Sequence, residues 1–278
     1  KGGITPQNRK GENVSVEKQW YHSGTDRLTS SGAKELLRSP AHYYLRYGPR
    51  AKQVPPTAAM RFGTAAHMLI LEGEQKFKSK VAANPGINRR TKAGKAEWHE
   101  WLSSKPGLSS DMVFSIEDYD SMFWMRDAVY SHPKASELLR VGHPECYYEW
   151  LDPETGSPCK ALADWMCTNA LVDLKTCADA SPEGFAKAVY NFKYHLSACF
   201  YLMGDAVCRD GVMRDFFWIA AEKHTNQVAV YTMDDVARDT GEALCRRAIG
   251  LYADCKQRNA WGGYPQEVLT LNSPAWAR

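Results

Sequence analysis

Apolar positions follow two different periods along this chain, and the change between them divides it. In the first half the spacing is helical. Hydroxyl side chains at Thr29–Ser31 precede Ala33, Leu36 and Leu37, which predicts a helix that Pro40 limits. Ala41–Tyr47 reads as a second short helix and 52–57 as a Pro-containing loop. Phe62, Ala66, Leu69 and Ile70 share one face of a predicted buried helix over Met60–Glu72. Thr91 is placed to cap a helix through Leu102. Ser115-Ile116-Glu117-Asp118 resembles a capping box opening a helix to about Tyr130, and Pro133 suits the first turn of another.

From Glu145 the period shortens to two. Glu145–Leu151, Cys159–Met166 and Ala170–Thr176 read as strands, the first two separated by the turn Asp152-Pro153-Glu154-Thr155-Gly156. Ser181-Pro182 starts a helical region reaching roughly Cys208. Phe216–Glu222 and 227–232 follow as strands, and Asp234 begins a last long helix. A helical crossover that returns to the same sheet makes a parallel pair. The expected fold is therefore α/β, a mixed central sheet flanked by helices with an N-terminal helical elaboration. Residues 1–19 are expected to form a loose leader and 20–278 a single domain.

Composition narrows the classes. Of 278 residues, 44% are hydrophobic and 24% charged, as in an ordinary globular protein and unlike a disordered one. No apolar run is long enough to cross a bilayer, and Lys1–Gln19 has no signal-peptide core, so a cytoplasmic protein is expected. All eight cysteines lie from Cys146 onward without a CxxC pair, a spacing that argues against a zinc ribbon or an iron–sulfur cluster.

Net charge is only +3, but it is unevenly spread. Seven basic residues and no acidic one fall between Gln75 and Ala96, which leaves the remainder of the chain net acidic. Such a run is either a solvated loop or a contact for a phosphate backbone.

Candidate chemistry concentrates on the second and third strands. Asp173 and Lys175 share a strand face. A two-residue turn at Thr168-Asn169 would bring Asp164 opposite Asp173, although Thr-Asn is a poor hairpin dipeptide and a bulge would shift the register. Two carboxylates so close need a cation between them or a shared proton. An oxygen-lined site suits Mg²⁺ or Mn²⁺, with the lysine orienting a water; the same residues could equally form a cross-strand salt bridge. His67, on the apolar helix one turn after Gly63, is either a core histidine or a further ligand.

Taken with Tyr21-His22-Ser23-Gly24, Leu28–Tyr47, Phe62–His67, Asn88–Lys95, Asp152–Gly156, Asp173–Thr176, Tyr194-His195, Phe200-Tyr201 and Pro274-Ala275-Trp276, the chain resembles the nuclease domain of RecE-type exodeoxyribonucleases (exodeoxyribonuclease VIII), in the RecB-like branch of the PD-(D/E)xK nucleases, whose fold is restriction-endonuclease-like. The resemblance implies that His67, Asp164 and Asp173 ligate Mg²⁺, with the Leu174 carbonyl a further ligand, and that Lys175 is the catalytic lysine. It places Glu145 at a supporting acidic position, Arg89, Arg90, Lys92 and Lys95 on DNA phosphates, and Tyr201 at the tyrosine of a Q-x-x-x-Y helix. The glutamine of that motif is Ser197 here, and the proline before the first aspartate is Ala163.

The implied activity is Mg²⁺-dependent digestion of one strand of linear duplex DNA, 5′→3′. The 3′ tail would pass to a RecT-type single-strand annealing protein, and the enzyme would be a ring-shaped homo-oligomer, a tetramer by resemblance. Two alternatives stand beside it: a RecB- or Cas4-like single-strand nuclease, and a catalytically impaired DNA-binding protein of the same fold.

Overall fold

The structure is a computed structural model, and it describes residues 26–52 and 54–273. The expected leader, Tyr21–Gly24 and Pro274-Ala275-Trp276 lie outside those residues.

Capping chemistry sets most helix starts. The Thr29 hydroxyl accepts from the Gly32 amide and opens α1 (Ser30–Arg38). Ser39 and Pro40 then open α2 (Pro40–Tyr47). Thr57 caps α3 (Ala58–His67). The expected continuous helix over Met60–Glu72 is not continuous, because at His67 the chain enters a π-helical turn, Met68–Glu72. Leu69, Ile70 and Leu71 are all buried. Three consecutive buried residues need a wider arc than an α-helix offers on one face.

Next come α4 (Glu74–Lys80), β1 (Ala82–Ala83), α5 (Lys92–Ser103), β2 (Val113–Phe114), α6 (Ile116–Ser131) and α7 (Pro133–Leu139). Thr91 and Ser115 cap α5 and α6 as their sequences imply. The sheet strands are β3 (His143–Leu151), β4 (Pro158–Met166) and β5 (Ala170–Cys177). The crossover is two helices rather than one, α8 (Pro182–Asn191) and α9 (Tyr194–Cys208). Lys193 adopts a left-handed conformation between them, so α9 begins afresh at Tyr194. β6 (Asp215–Glu222), β7 (Val228–Tyr231) and α10 (Asp235–Arg258) complete the order.

The five-stranded sheet runs β3-β4-β5-β6-β7, with β5 and β6 parallel and the other neighbours antiparallel. Each face buries its own core. Tyr148, Ala161, Ala163, Leu171 and Trp218 pack under α1, α8, α9 and α10. Trp165, Val172, Leu174 and Ile219 pack under α3, the π-turn, α6 and α7. This is the expected mixed α/β sheet with helices on both sides. Among the described residues no helix is long and apolar enough to cross a membrane.

Candidate active site

The site grows from a fault in the sheet. Ala161 and Ala163 belong to one core, whereas Trp165 belongs to the opposite one. In a regular strand, residues two apart share a face, so the alternation of β4 breaks at Asp164. Across the β3–β4 ladder, Pro144 pairs with Trp165 and Cys146 with Ala163, which sets Glu145 level with Asp164. Glu145 carries φ 53° there.

On the other side, β4 and β5 pair only at Trp165–Val172 and Met166–Leu171. The expected register is therefore correct, and no bulge displaces it. At the next level, that of Asp164 and Asp173, a side chain replaces the ladder: the Leu174 amide donates to Asp164 Oδ2 at 3.0 Å.

This split gathers four of the candidate side chains. His67 Nδ1 lies 3.5 Å from Asp164 Oδ2. Gly63 lets α3 sit that close to β5, because a Cβ at Gly63 would come within 3.3 Å of Thr176 Oγ1. Asp173 and Lys175 occupy the face of β5 turned toward α1 and α9, where Lys175 Nζ lies 2.5 Å from Asp173 Oδ2. Asp173 is 5% exposed and Lys175 21%, so the ammonium is the one that reaches the cleft.

Burial pushes the Asp173 carboxyl up to about 6; Lys175 opposes that rise and Asp164 adds to it. Burial also works against the Lys175 charge, but Asp173 and Asp164 overcome it and raise the ammonium above its ordinary value. The result is a buried Asp173 carboxyl whose charge burial and Asp164 disfavour, next to a lysine that stays protonated.

One imidazole and two carboxylates offer the donor chemistry that a hard divalent cation takes. Among the described residues, however, no three His, Cys, Asp or Glu side chains converge tightly enough to form a ready-made metal centre. Lys175 holds the Asp173 carboxylate, and the Leu174 amide holds that of Asp164.

Tyr201 and the basic residues lie elsewhere. Tyr201 sits on α9 two turns beyond Tyr194, where Ser30 Oγ donates to its hydroxyl at 3.4 Å and its carbonyl accepts from the Tyr148 hydroxyl at 2.9 Å. It belongs to the α1–α9 contact. Ser197 is buried one turn before it.

The basic run divides. Lys76 pairs with Glu72 and Lys78 with Glu74, acids just outside the window that looked wholly basic. Arg89 stacks on Trp98, 4.5 Å from its ring. Arg90, Lys92 and Lys95 are exposed around the start of α5.

Two residues at the site carried no assigned role in the sequence. Tyr194, at the restart of α9, presents its ring 5.1 Å from Lys175 Nζ, and Lys34 of α1 places its own Nζ 5.5 Å from the same ring. Burial, then the neighbouring Lys175 charge, lowers Lys34 to about 8. The only sequence signal for Lys34 is a lysine next to the buried Ala33 on an otherwise well-marked amphipathic helix.

Residues 29–272 match the model of a family described as "PDDEXK-like domain of unknown function (DUF3799)". No curated protein sequence matches the chain. Among solved structures, one titled as a putative exonuclease from Eubacterium rectale is similar over 92% of this chain and 97% of its own, with a TM-score of 0.60 and 13% identity. At that identity the likeness speaks for the fold. Another, SSO0001, is 10% identical, covers 86% of this chain and 88% of its own, and at a TM-score of 0.29 carries no argument.

Proposed function

Because the chain belongs to the PDDEXK-like DUF3799 family and so to the PD-(D/E)xK nuclease superfamily, we propose that it is a divalent-metal-dependent exodeoxyribonuclease of RecE type. It digests one strand of linear duplex DNA from its end, 5′→3′, and leaves a 3′ single-stranded tail for a RecT-type annealing protein. Residues 20–278 act as one exonuclease domain, in a ring-shaped homo-oligomer.

The observation that carries the reading is the split between β4 and β5, where Asp164, the Asp173–Lys175 pair and His67 meet. The similar fold of the Eubacterium rectale protein, described as an exonuclease, supports an exonuclease among the nucleases of this fold.

His67, Asp164 and Asp173 would hold the cation, with Mg²⁺ or Mn²⁺ suited to those donors. When bound, it supplies charge to polarise the phosphodiester and to make a nearby water more acidic. The chain's own residues then divide the remaining work. Asp173 fixes the Lys175 ammonium at the cleft, where it orients the attacking water and offsets negative charge developing on the phosphate. Asp164, by accepting from the Leu174 amide, keeps β5 at the spacing that leaves the cleft open. The Tyr194 ring walls the site on the α9 side and screens the lysine from bulk water.

Linear duplex labelled at the 5′ or 3′ end, with a closed circle as control, tests this directly. The expected result is release of the 5′ label from linear DNA in Mg²⁺, and none in EDTA or from the circle. Cutting of the circle, or no cutting in Mg²⁺ or Mn²⁺, would overturn the proposal.

A further inference from the structure

Among the described residues, the strongest unassigned feature is a cavity of about 400 Å³ lined by α1, α2 and the loop that follows α2. Arg38, Arg46, Arg50 and Lys52 line it against a single carboxylate, Glu35. Glu35 lies 3.7 Å from Arg46, and among the described residues Arg38, Arg50 and Lys52 form no ion pair. The cavity thus holds a local excess of three positive charges, as many as the formal net charge of the whole chain.

Three geometric facts say what would occupy it. Arg38 is one turn beyond Lys34 on α1, so the two cations share a helix face with Cβ atoms roughly 6 Å apart. Lys34 in turn shares the Tyr194 ring with Lys175. Cations therefore continue from the catalytic pair along α1 to the cavity. Finally, aromatic rings border the basic surface: Tyr264, 64% exposed, lies 5.5 Å from the ring of the cavity-lining His42, and Tyr44, 40% exposed, stacks on Trp261. Cations along a backbone with exposed rings for the bases are the two components of a single-strand binding groove. A duplex would keep its bases stacked and leave those rings without a role.

We infer that the α1–α2 cavity is a binding groove for single-stranded DNA, which grips the phosphates of the strand that leads to the Asp173–Lys175 cleft. The groove extends the catalytic site of the nuclease reading and rests on it for its direction, but its binding chemistry can be read without turnover.

The test is binding in EDTA, by fluorescence anisotropy, to a labelled dT20, a blunt 20-base-pair duplex and poly-glutamate over a range of salt. It compares the unmodified chain with Arg38→Ala/Arg50→Ala/Lys52→Ala and, as a lighter change, Arg50→Glu. Losing three single-strand phosphate contacts should lower the salt slope for dT20 by about two, at roughly 0.7 per contact. Affinity for dT20 at moderate salt should fall tenfold or more, and that for duplex by much less. Unchanged dT20 binding in both variants would overturn the inference. So would an equal loss for duplex, or poly-glutamate binding that matches dT20 and is lost with it, which would mark a general polyanion surface. Since nothing here depends on cleavage, an inactive enzyme would strike the nuclease reading and leave this comparison intact.

Discussion

At the scale of single residues, the Asp173–Lys175 pair couples stability to chemistry. The two charges lie 2.5 Å apart, with the carboxylate almost wholly buried. Lys175→Met removes the cation and leaves a buried carboxylate beside Asp164; Asp173→Asn removes the anion and frees the ammonium. Each single variant should lose at least about a hundredfold in Mg²⁺-dependent cleavage of end-labelled duplex, the lower range for losing one group that stabilises developing charge. Lys175→Met should also melt at a lower temperature, and the double variant should recover much of that loss, because a broken buried pair costs more than an absent one. Full activity in either single variant, or a double variant that melts lower than Lys175→Met, would contradict the assignment. The identities of these residues were legible from Asp-x-Lys on a strand and from the resemblance. What the sequence could not supply is that Lys175 and Lys34 share the Tyr194 ring, although they are more than a hundred positions apart.

Elements show where local pattern was enough and where it was not. Caps at Thr29, Thr91, Ser115, Ser181 and Asp234 were readable because each cap acts within three residues of itself. The π-turn after His67 and the restart at Tyr194 were not, since both answer to the packing around them. The basic run illustrates the same limit. Read linearly it has seven like charges, but the fold returns Glu72 to Lys76 across the break at Gly73, and helix geometry returns Glu74 to Lys78 within α4. Neutralising the exposed cations around the start of α5, Arg90→Ala/Lys92→Ala/Lys95→Ala, should weaken duplex binding in EDTA and reduce its salt slope by two to three, at about 0.9 per phosphate. Lys76→Ala/Lys78→Ala should leave that slope within one unit of the original. Equal effects of the two variants would show that the ion pairs of α4 do not spare it from DNA.

On the scale of the whole molecule, a net charge of +3 hides a segregated surface. Acidic residues meet in the cleft, while cations collect in the α1–α2 cavity and on α5. A chain so nearly neutral has little general attraction for DNA, and its grip must come from local grooves and from enclosure. Enclosure is the physical role of the proposed ring, which would keep the enzyme on its track between cuts. Light scattering on the purified protein should give about four times the mass of one chain, and dilution to monomer should turn long runs of digestion into short, distributive ones. A stable monomer that digests long duplexes without release would remove the need for a ring.

By itself the sequence determined most of the longer helices and strands, the mixed sheet with its parallel return, the β4–β5 register and the candidate residues for chemistry. All of these depend on period, capping and turn length over short stretches of chain. Tertiary structure decided that the sheet breaks phase at Asp164, that the β4–β5 ladder opens there, and that the Leu174 amide turns to a carboxylate. It also decided that α1 brings a second lysine to the Tyr194 ring that Lys175 meets. The reason is physical: an open ladder and a shared ring are contacts between distant segments, fixed by two cores packing on opposite faces of one sheet, and no local pattern encodes them.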